Sequence, residues 1–173
     1  MVSADRADAA ESLRVVAGVL FARGRVLVGR RRADTRHSLQ WEFPGGKVEP
    51  GEDARAALVR ELREELGVET VVGDTLRVTR HRYPGGPSVE IAFLQVRAID
   101  RAPTNQAFAD LCWIPIESLN KLDFLEGDRE FVSALEAGAV VPAVTAYQAR
   151  SEASHGSCCT PVDFSKTFAA KAV

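Results

Sequence analysis

One segment, residues 46–68, constrains this chain more than any other, because a turn-rich loop runs directly into an amphipathic helix. In the helical part, 53–66, every fourth residue from 58 to 66 is leucine, which predicts a single apolar stripe. Gly67 follows the last leucine and is a typical C-terminal stop signal. Prolines and glycines punctuate 44–51 and argue against a regular helix there. The segment therefore predicts a loop and then a helix that packs on its leucine face.

Three acidic residues of this helix, Glu61, Glu64 and Glu65, share one side of it, because residues three and four apart are neighbours on a helical surface. Like charges at this spacing cost roughly a few tenths of a kcal/mol each in an isolated helix. A hard divalent cation would reverse that cost, since Mg²⁺ prefers carboxylate oxygens, water and substrate phosphates. The alternative is a solvated acidic face that Arg60 and Arg63 partly neutralise. The helix alone leaves both interpretations open.

The rest of the chain mixes short strands with one further helix. Runs rich in aliphatic and β-branched residues predict strands at 14–21, 25–29, 68–72, 76–79, 89–93 and 111–116. We expect the first two to pair as a hairpin around 22–24, and a turn at 83–87. A helical pattern recurs at 128–137. This alternation predicts an α+β fold, with a layered α/β/α arrangement.

Composition and charge exclude several classes of protein. The chain has 173 residues, which favours one domain with short tails. Its 22 basic and 24 acidic residues give a formal charge of −2, so we expect neither nucleic acid nor a membrane surface as a partner. Three cysteines form neither a disulfide framework nor a zinc motif.

The two ends of the chain differ from its middle. Residues 1–12 are polar and lack the apolar core of a signal peptide, and the apolar run 15–22 is too short to span a bilayer. After 140 the composition shifts to alanine, serine and small polar residues. We therefore expect a flexible 1–12, a domain at 13–140, a weakly ordered tail at 141–173 and a cytoplasmic protein.

The loop–helix segment resembles the signature of the Nudix hydrolases. Gly46 is followed after five residues by Glu52, and the run Arg60-Glu61-Leu62 comes seven residues later, with Glu64-Glu65 and Gly67-Val68 behind it. Upstream, RRRAD at 30–34 and WEFPGGK at 41–47 resemble the MutT branch of that family, which cleaves nucleoside triphosphates. The resemblance implies an α/β/α sandwich with a mixed sheet flanked by helices.

The resemblance also implies a metal site. Mg²⁺, or Mn²⁺ in its place, is expected on the side chains of Glu61, Glu64 and Glu65 and on the main-chain oxygen of Gly45, with Glu52 assisting directly or through water. These ligands would offset the charge of the attacked phosphate while a glutamate deprotonates the water.

The remaining roles divide between catalysis and phosphate binding. The catalytic base is expected to be Glu61 or Glu64. Arg60 is expected to orient a carboxylate by charge-assisted hydrogen bonds. Arg31 and Lys47 are candidate triphosphate contacts, the alternative being that both are ordinary surface cations.

Two features depart from the MutT pattern or stay open. That branch often carries a glutamate six residues before a late tryptophan, yet Ala107 stands six residues before Trp113, and only Asp110 is available as a replacement nearby. Asp128, near the start of the last helix, is a candidate to accept hydrogen bonds from a base edge, or else it is simply a helix N-cap. The ring of Phe43 is a candidate to flank the base.

Three functions compete. The first is hydrolysis of 8-oxo-dGTP or dGTP to the monophosphate and pyrophosphate, which removes oxidised nucleotides from the pool. The second is the same reaction on CTP or dCTP. The third is a Nudix-like domain that binds a nucleotide or sugar-phosphate ligand without cleaving it, which the complete set of signature glutamates disfavours. In each case the partner is a small-molecule nucleotide or related phosphate, and the protein a monomer or homodimer.

Overall fold

A computed structural model of the chain describes residues 12–147 and folds them into two β-sheets, two α-helices and one 3₁₀ helix. Neither α-helix in this described range is long and apolar enough to cross a membrane. The predicted N-terminal segment up to residue 11, and the predicted tail from residue 148 onward, lie outside the described residues.

The elements follow one another in a mixed α and β order. The strands are β1 (Leu13–Val19), β2 (Phe21–Ala22), β3 (Arg25–Arg30), β4 (Trp41–Glu42), β5 (Gly45–Lys47), β6 (Thr70–Arg82), β7 (Ser88–Ile99), β8 (Asp110–Pro115) and β9 (Ala146–Tyr147). The helices are α1 (Ala54–Leu66), the 3₁₀ helix (Ile116–Lys121) and α2 (Glu126–Glu136).

The larger sheet is mixed. Its strands run in the order β5–β1–β7–β6, with β9 also paired to β7. Strand β1 lies parallel to β7 and antiparallel to β5, and β6 lies antiparallel to β7. The smaller sheet is antiparallel, with β3 paired to β2, β4 and β8. Strand β5 is therefore at an edge of the mixed sheet, beside the loop that precedes α1.

The two helices belong to separate apolar clusters on the two sides of β1. Val16 packs in one cluster with Leu58 and Leu62 of α1, while Val19 packs in the other with Phe131 of α2. Each fully buried leucine contributes about 1.5–3 kcal/mol. Side chains alternate across a strand, so β1 supplies both cores. This arrangement confirms the predicted α+β fold with a mixed sheet between helices.

The predicted hairpin is right at its turn and wrong in its strands. Arg23 and Gly24 both have positive φ, 51° and 74°, as a tight two-residue hairpin turn requires. However, within the predicted first strand of the hairpin, only the short β2 pairs with β3. Strand β1 pairs with β5 and β7 in the other sheet. The chain changes sheets at the fully buried Leu20, whose carbonyl accepts a hydrogen bond from the Leu27 N–H.

The predicted strands at 68–72 and 76–79 are one strand, β6, because bulges carry it through the polar interruption. Its register against β7 shifts between Val72 and Thr75 and again before Arg77. The periodicity breaks at a bulge, so a continuous strand was predicted as two.

The first residues after 140 contact the larger sheet. Gln95 is buried, accepts a hydrogen bond from the Ala143 N–H at 2.8 Å and donates one to the Ala143 carbonyl at 2.9 Å. The Thr145 hydroxyl donates to the Val96 carbonyl, and β9 then pairs with the end of β7. The domain boundary at residue 140 stays a prediction.

Candidate active site

Helix α1 is fixed at both ends, which determines the direction of its acidic side. The Asp53 carboxylate caps the N-terminus by accepting hydrogen bonds from Arg55 N–H at 2.8 Å and Ala56 N–H at 3.0 Å. Gly67 ends the helix in the left-handed conformation, with φ 66°. Leu62 and Leu66 are fully buried. With the leucine face fixed in the core, the carboxylates lie on the side next to β5.

Two glycines of β5 let the helix come close to the sheet edge. Gly45 has φ 149°, and a Cβ atom there would lie 2.1 Å from the Val16 carbonyl oxygen. A Cβ on Gly46 would lie 2.4 Å from the Glu61 carboxylate. Larger residues would therefore push the backbone away from the carboxylates.

Glu65 is the most enclosed of the three carboxylates. Its Oε2 accepts a hydrogen bond from the Gly45 N–H at 2.8 Å. Burial raises the pKa of Glu65 to about 8, and the nearby charges of Glu42 and Glu61 act in the same direction. The Gly45 hydrogen bond and Arg31 oppose that shift without cancelling it.

Arg60 joins the carboxylates on the other side of the site. It donates to both oxygens of Glu52, at 3.1 and 3.0 Å, and to Glu61 Oε1 at 2.8 Å. It also donates to the Lys47 carbonyl and lies 3.9 Å from the Glu64 carboxylate. These hydrogen bonds raise the pKa of Arg60 and lower that of Glu52. This is the geometry that an orienting role for Arg60 requires.

Within residues 12–147, no three acidic, histidine or cysteine side chains stand in positions that would hold a metal ion as they are. Glu61 and Glu52 turn toward Arg60, and Glu65 turns toward Gly45. The donor set still fits a hard divalent cation: it consists of oxygens, and Glu65 is buried beside the like charges of Glu42 and Glu61, all of which raise its pKa. A bound cation would supply that compensation once Glu61 rotates away from Arg60.

A cavity of about 460 Å³ opens beside this cluster. Its wall is mostly apolar, with a few charged and aromatic side chains. The lining residues are Leu13, Val15, Val16, Ala17, Arg31, Arg36, His37, Glu42, Phe43, Gly45, Gly46, Lys47, Tyr83, Pro87, Val89, Ile91, Leu125 and Asp128. Three of these residues, Gly45, Gly46 and Lys47, form β5, so the cavity and the α1 carboxylates share one strand.

Asp128 lies in the cavity wall, and it is not the N-cap of α2. The N-cap is Leu125, which makes no side-chain capping bond, and Asp128 is three residues further on. Its carboxyl is buried and accepts a hydrogen bond from the Phe43 N–H at 3.2 Å. Burial, with Glu42 nearby, raises the pKa of Asp128 to about 8. The capping alternative is therefore wrong.

The prediction that the Phe43 ring flanks a base is also wrong. The residue is 3% exposed, and its ring packs against Phe93, Phe124 and Phe131 at centroid distances of 5.3–5.7 Å. The ring belongs to the core; the main chain of Phe43 serves the site through its bond to Asp128.

Glu42 is a site residue that the sequence analysis missed. It lines the cavity, and both of its oxygens accept from Arg31 Nη1, at 2.9 and 2.8 Å. Burial raises its pKa, and Arg31 opposes that shift. Arg31 Nε also donates to the Arg36 carbonyl. The signal in the sequence for a site role of Glu42 was its position directly before Phe43-Pro44-Gly45. A glutamate beside a tryptophan is, however, also typical of an ordinary surface position.

Asp110 is not among the residues that line the cavity. It begins β8, is about half exposed and pairs with Arg30 at 3.3 Å. The replacement by Asp110 of the acid missing at Ala107 stays a prediction.

Comparisons with known proteins agree with the fold. A sequence model of the NUDIX domain matches residues 12–135. The putative 8-oxo-dGTP diphosphatase 2 of Mycobacterium tuberculosis is 37% identical over 124 residues, which cover 70% of this chain and 86% of that protein. The CTP pyrophosphohydrolase of Escherichia coli is 52% identical over 62 residues, covering 36% of this chain and less than half, 46%, of that protein. The solution structure of the E. coli ORF135 protein has a TM-score of 0.67 at 32% identity and covers 75% of this chain and 91% of its own.

Proposed function

Because this chain belongs to the Nudix family and is a hydrolase of nucleotide pyrophosphate bonds, we propose that it converts a nucleoside triphosphate into the monophosphate and pyrophosphate. The first candidate substrate is 8-oxo-dGTP or dGTP, which would make the reaction one of nucleotide-pool sanitation. The proposed partner is then a small nucleotide and not a nucleic acid. We propose that the protein acts as a monomer or homodimer in the cytoplasm, where this class of substrate occurs.

The observation that carries the proposal is the shared strand β5. Its residues line the cavity and also contact helix α1: the Gly45 N–H donates to the Glu65 carboxylate, and the Lys47 carbonyl accepts from Arg60. A nucleotide whose base lies in the apolar cavity would extend its phosphates along β5 to those carboxylates.

Nudix hydrolases generally require a divalent metal ion, and we propose Mg²⁺ here, with Mn²⁺ as a substitute. Glu61, Glu64, Glu65 and the Gly45 carbonyl would hold it, and Glu52 would assist. When bound, the cation would offset phosphate charge and lower the pKa of a ligated water. The protein groups align the carboxyl groups: the Gly45 N–H donates to Glu65, and Arg60 donates to Glu52.

Glu64 fits the role of general base better than Glu61. Its side chain is 61% exposed and lies 3.9 Å from Arg60, whereas Glu61 is 16% exposed and holds a 2.8 Å hydrogen bond to that arginine. In the proposed step, the water oxygen bonds to a phosphorus of the triphosphate and its proton passes to the carboxylate. The bridging P–O bond between the monophosphate and pyrophosphate parts breaks.

The two proposed phosphate contacts differ in their availability. Lys47 lines the cavity on the same strand as Gly45 and Gly46. Arg31 uses Nη1 for Glu42 and Nε for the Arg36 carbonyl. It would therefore bind a phosphate through Nη2 while it holds Glu42.

Asp128 is the proposed reader of the base edge. A protonated carboxyl offers one donor and one acceptor, which suits N1–H and O6 of a guanine and equally N4–H and N3 of cytosine. The M. tuberculosis relative is named as a putative 8-oxo-dGTP diphosphatase and matches this chain over 124 residues. Because that match is the longer of the two, it favours a purine substrate. The E. coli relative, named as a CTP pyrophosphohydrolase, keeps CTP and dCTP as the second candidate.

A substrate panel with Mg²⁺ tests this proposal. The purified full chain is given 8-oxo-dGTP, dGTP, CTP, dCTP, ADP-ribose and a sugar nucleotide, and the products are separated by chromatography. We expect 8-oxo-dGMP and pyrophosphate at the highest kcat/KM. Preference for CTP or dCTP would replace the first candidate with the second, and preference for ADP-ribose or the sugar nucleotide would contradict both.

A further inference from the structure

Strand β7 loses its neighbour on one side before it ends. Strand β1 runs parallel to it as far as the pair Val19 and Gln95, and the chain then crosses to the smaller sheet at Leu20. Strand β7 itself continues to Ile99. An unpaired strand edge presents a row of backbone N–H and C=O groups that other strands can bind. The stretch 96–99 of β7 therefore needs a partner other than β1 on this side.

Residues 141–147, here called the strap, take that place. Their last two residues form β9, which lies parallel to the end of β7 with Ala146 opposite Ala98. The strap follows α2 and comes after residues 12–135, which match the NUDIX model. Its position is therefore set by contacts that the family match does not cover.

Thr145 binds the strap to both sheets at once. Its N–H donates to the Phe21 carbonyl at 2.8 Å, and its hydroxyl oxygen accepts from the Phe21 N–H at 3.0 Å. The same hydroxyl donates to the Val96 carbonyl at 2.8 Å. Phe21 belongs to β2 of the smaller sheet and Val96 to β7 of the larger one. One side chain therefore connects the two sheets at the point where the chain passes between them.

Gln95 holds the strap from inside the core. The residue is 4% exposed, and its sequence neighbours Leu94 and Val96 are buried. Its carboxamide oxygen accepts from the Ala143 N–H at 2.8 Å, and its nitrogen donates to the Ala143 carbonyl at 2.9 Å and to the Val96 carbonyl at 2.9 Å. Without Ala143 the buried oxygen would lose its donor, and an unsatisfied buried polar atom is costly. A glutamine at this position is therefore favourable with the strap in place.

The strap itself adds little to the apolar core. Val141, Val144 and Tyr147 are 79%, 65% and 57% exposed, and Pro142 is the one strap residue that is buried. Hydrogen bonds therefore hold the strap more than apolar packing does. Segments with few buried apolar contacts open locally at a lower free energy than the core does. We expect the strap to open while both sheets and both helices stay folded.

We propose that the strap is a conformational device that closes the junction of the two sheets and opens as one unit, with Gln95 and Thr145 as its anchors. When closed, it covers the free side of β7 and ties that strand to β2. When open, it uncovers the backbone groups of 96–99 and the Gln95 carboxamide without unfolding the domain. The proposal is independent of the proposed substrate, because neither anchor lines the cavity.

Hydrogen exchange of single amides, followed by NMR on the full chain at several low urea concentrations, tests this proposal. The amides of Ala143, Thr145 and Phe21 report the strap, because each donates one of its hydrogen bonds. The Leu27 N–H, which donates to the Leu20 carbonyl, reports the core. We expect the three strap amides to share one protection factor, lower than that of Leu27. It should change little with urea, because a small opening exposes little surface.

Two substitutions weaken the anchors separately. Gln95→Leu removes both hydrogen bonds to Ala143 and keeps an apolar side chain in the core, and Thr145→Val removes the hydroxyl. Each should speed exchange of the strap amides roughly 5- to 150-fold, the change that two hydrogen bonds of ordinary strength produce, with little change at Leu27. Thr145→Ser keeps the hydroxyl and should restore the slow exchange. Thr75→Val, at an exposed threonine of β6, is the matched control and should leave the strap unchanged.

Three results would overturn the proposal. Unprotected Ala143 and Thr145 amides in the unsubstituted protein would show that the strap is not closed. Protection equal to that of Leu27 at every urea concentration would show that the strap opens only when the whole domain unfolds. The same strap exchange in Thr145→Val as in Thr75→Val would remove Thr145 as an anchor, and this comparison decides the matter even if Gln95→Leu does not fold.

Discussion

The Gly45 N–H donates a 2.8 Å hydrogen bond to the Glu65 carboxylate, and this bond ties the edge strand of the mixed sheet to the acidic helix. The same glycine has a φ of 149° that places its backbone against Val16. One residue therefore positions a buried carboxylate and permits the close approach of strand and helix. The proposed metal site depends on both.

Neutral replacement of the α1 carboxylates should remove activity without unfolding the protein. Glu64→Gln and Glu65→Gln are each expected to lower kcat at least about 100-fold, because each removes a charged oxygen donor from the proposed cation site. Glutamine at 65 can still accept from the Gly45 N–H, so the fold should persist. Steady-state pyrophosphate release, with circular dichroism on the same samples, measures both effects. Glu130→Gln, an exposed glutamate paired with Arg77, is the matched control and should be fully active.

Loss of Arg60 should appear first in the metal dependence. Arg60→Ala releases Glu52 and Glu61 from their hydrogen bonds, and removing such supporting contacts typically weakens metal affinity about 10- to 100-fold. A titration of activity against Mg²⁺ should show that shift in half-saturation, with partial recovery in Arg60→Lys. Arg63→Ala, which loses a pair with Glu69 on the same helix, is the control. Identical Mg²⁺ curves for the two alanine variants would contradict the orienting role.

Substitution of Gly45 should lower stability and activity far more than substitution of Gly51, a nearby glycine that also has a positive φ. In Gly45→Ala the new Cβ would lie 2.1 Å from the Val16 carbonyl oxygen, so β5 must move. Gly51 also has a positive φ, 81°, but a Cβ atom there would meet nothing within 4 Å. Gly51→Ala therefore measures the conformational cost of about 1 kcal/mol without any steric clash. Thermal unfolding should rank Gly45→Ala well below Gly51→Ala, and only Gly45→Ala should lose activity. Equal melting temperatures would refute the close-approach argument.

Asp128 should make the metal-free protein less stable as pH rises. Its pKa is about 8 when folded against an ordinary value of 3.8, so between these values the unfolded chain releases a proton that the folded one keeps. Stability then falls with rising pH by up to about 1.4 kcal/mol per unit and levels off above pH 8. Asp128→Asn should reduce that slope and raise the melting temperature at pH 8, and the slope that remains is expected from Glu65, whose pKa is also about 8. Asp123→Asn, an exposed aspartate paired with Arg129, should leave the slope as it is; the same slope in Asp128→Asn would contradict the assignment.

The sequence predicted those parts of the fold whose signals are local. The leucine spacing and the Gly67 stop signal belong to one helix, and α1 spans almost the predicted residues. The pairing of β1 with β7 depends instead on a change of sheet at Leu20, and the contacts of residues 141–147 depend on the distant Gln95. Pairings between residues far apart in sequence leave no periodic signal, so the strands of the hairpin were predicted incorrectly.

The candidate site divides in the same way. Glu61, Glu64 and Glu65 follow from a spacing within one helix, whereas the cavity is assembled from four separate parts of the chain. Phe43 was assigned to a base and proves to be core, because an aromatic residue beside glycines is compatible with either role. The place of Glu42 in the site becomes evident only when Arg31 and the cavity are seen beside it.

Pyrophosphate release from 8-oxo-dGTP by the full chain, followed in parallel with Glu64→Gln and Glu130→Gln, decides whether the α1 carboxylates carry the proposed reaction. We expect Mg²⁺-dependent formation of 8-oxo-dGMP and pyrophosphate in equal amounts, lost in Glu64→Gln and unchanged in Glu130→Gln. Formation of the diphosphate and inorganic phosphate, or full activity in Glu64→Gln, would show that the proposed reaction is wrong.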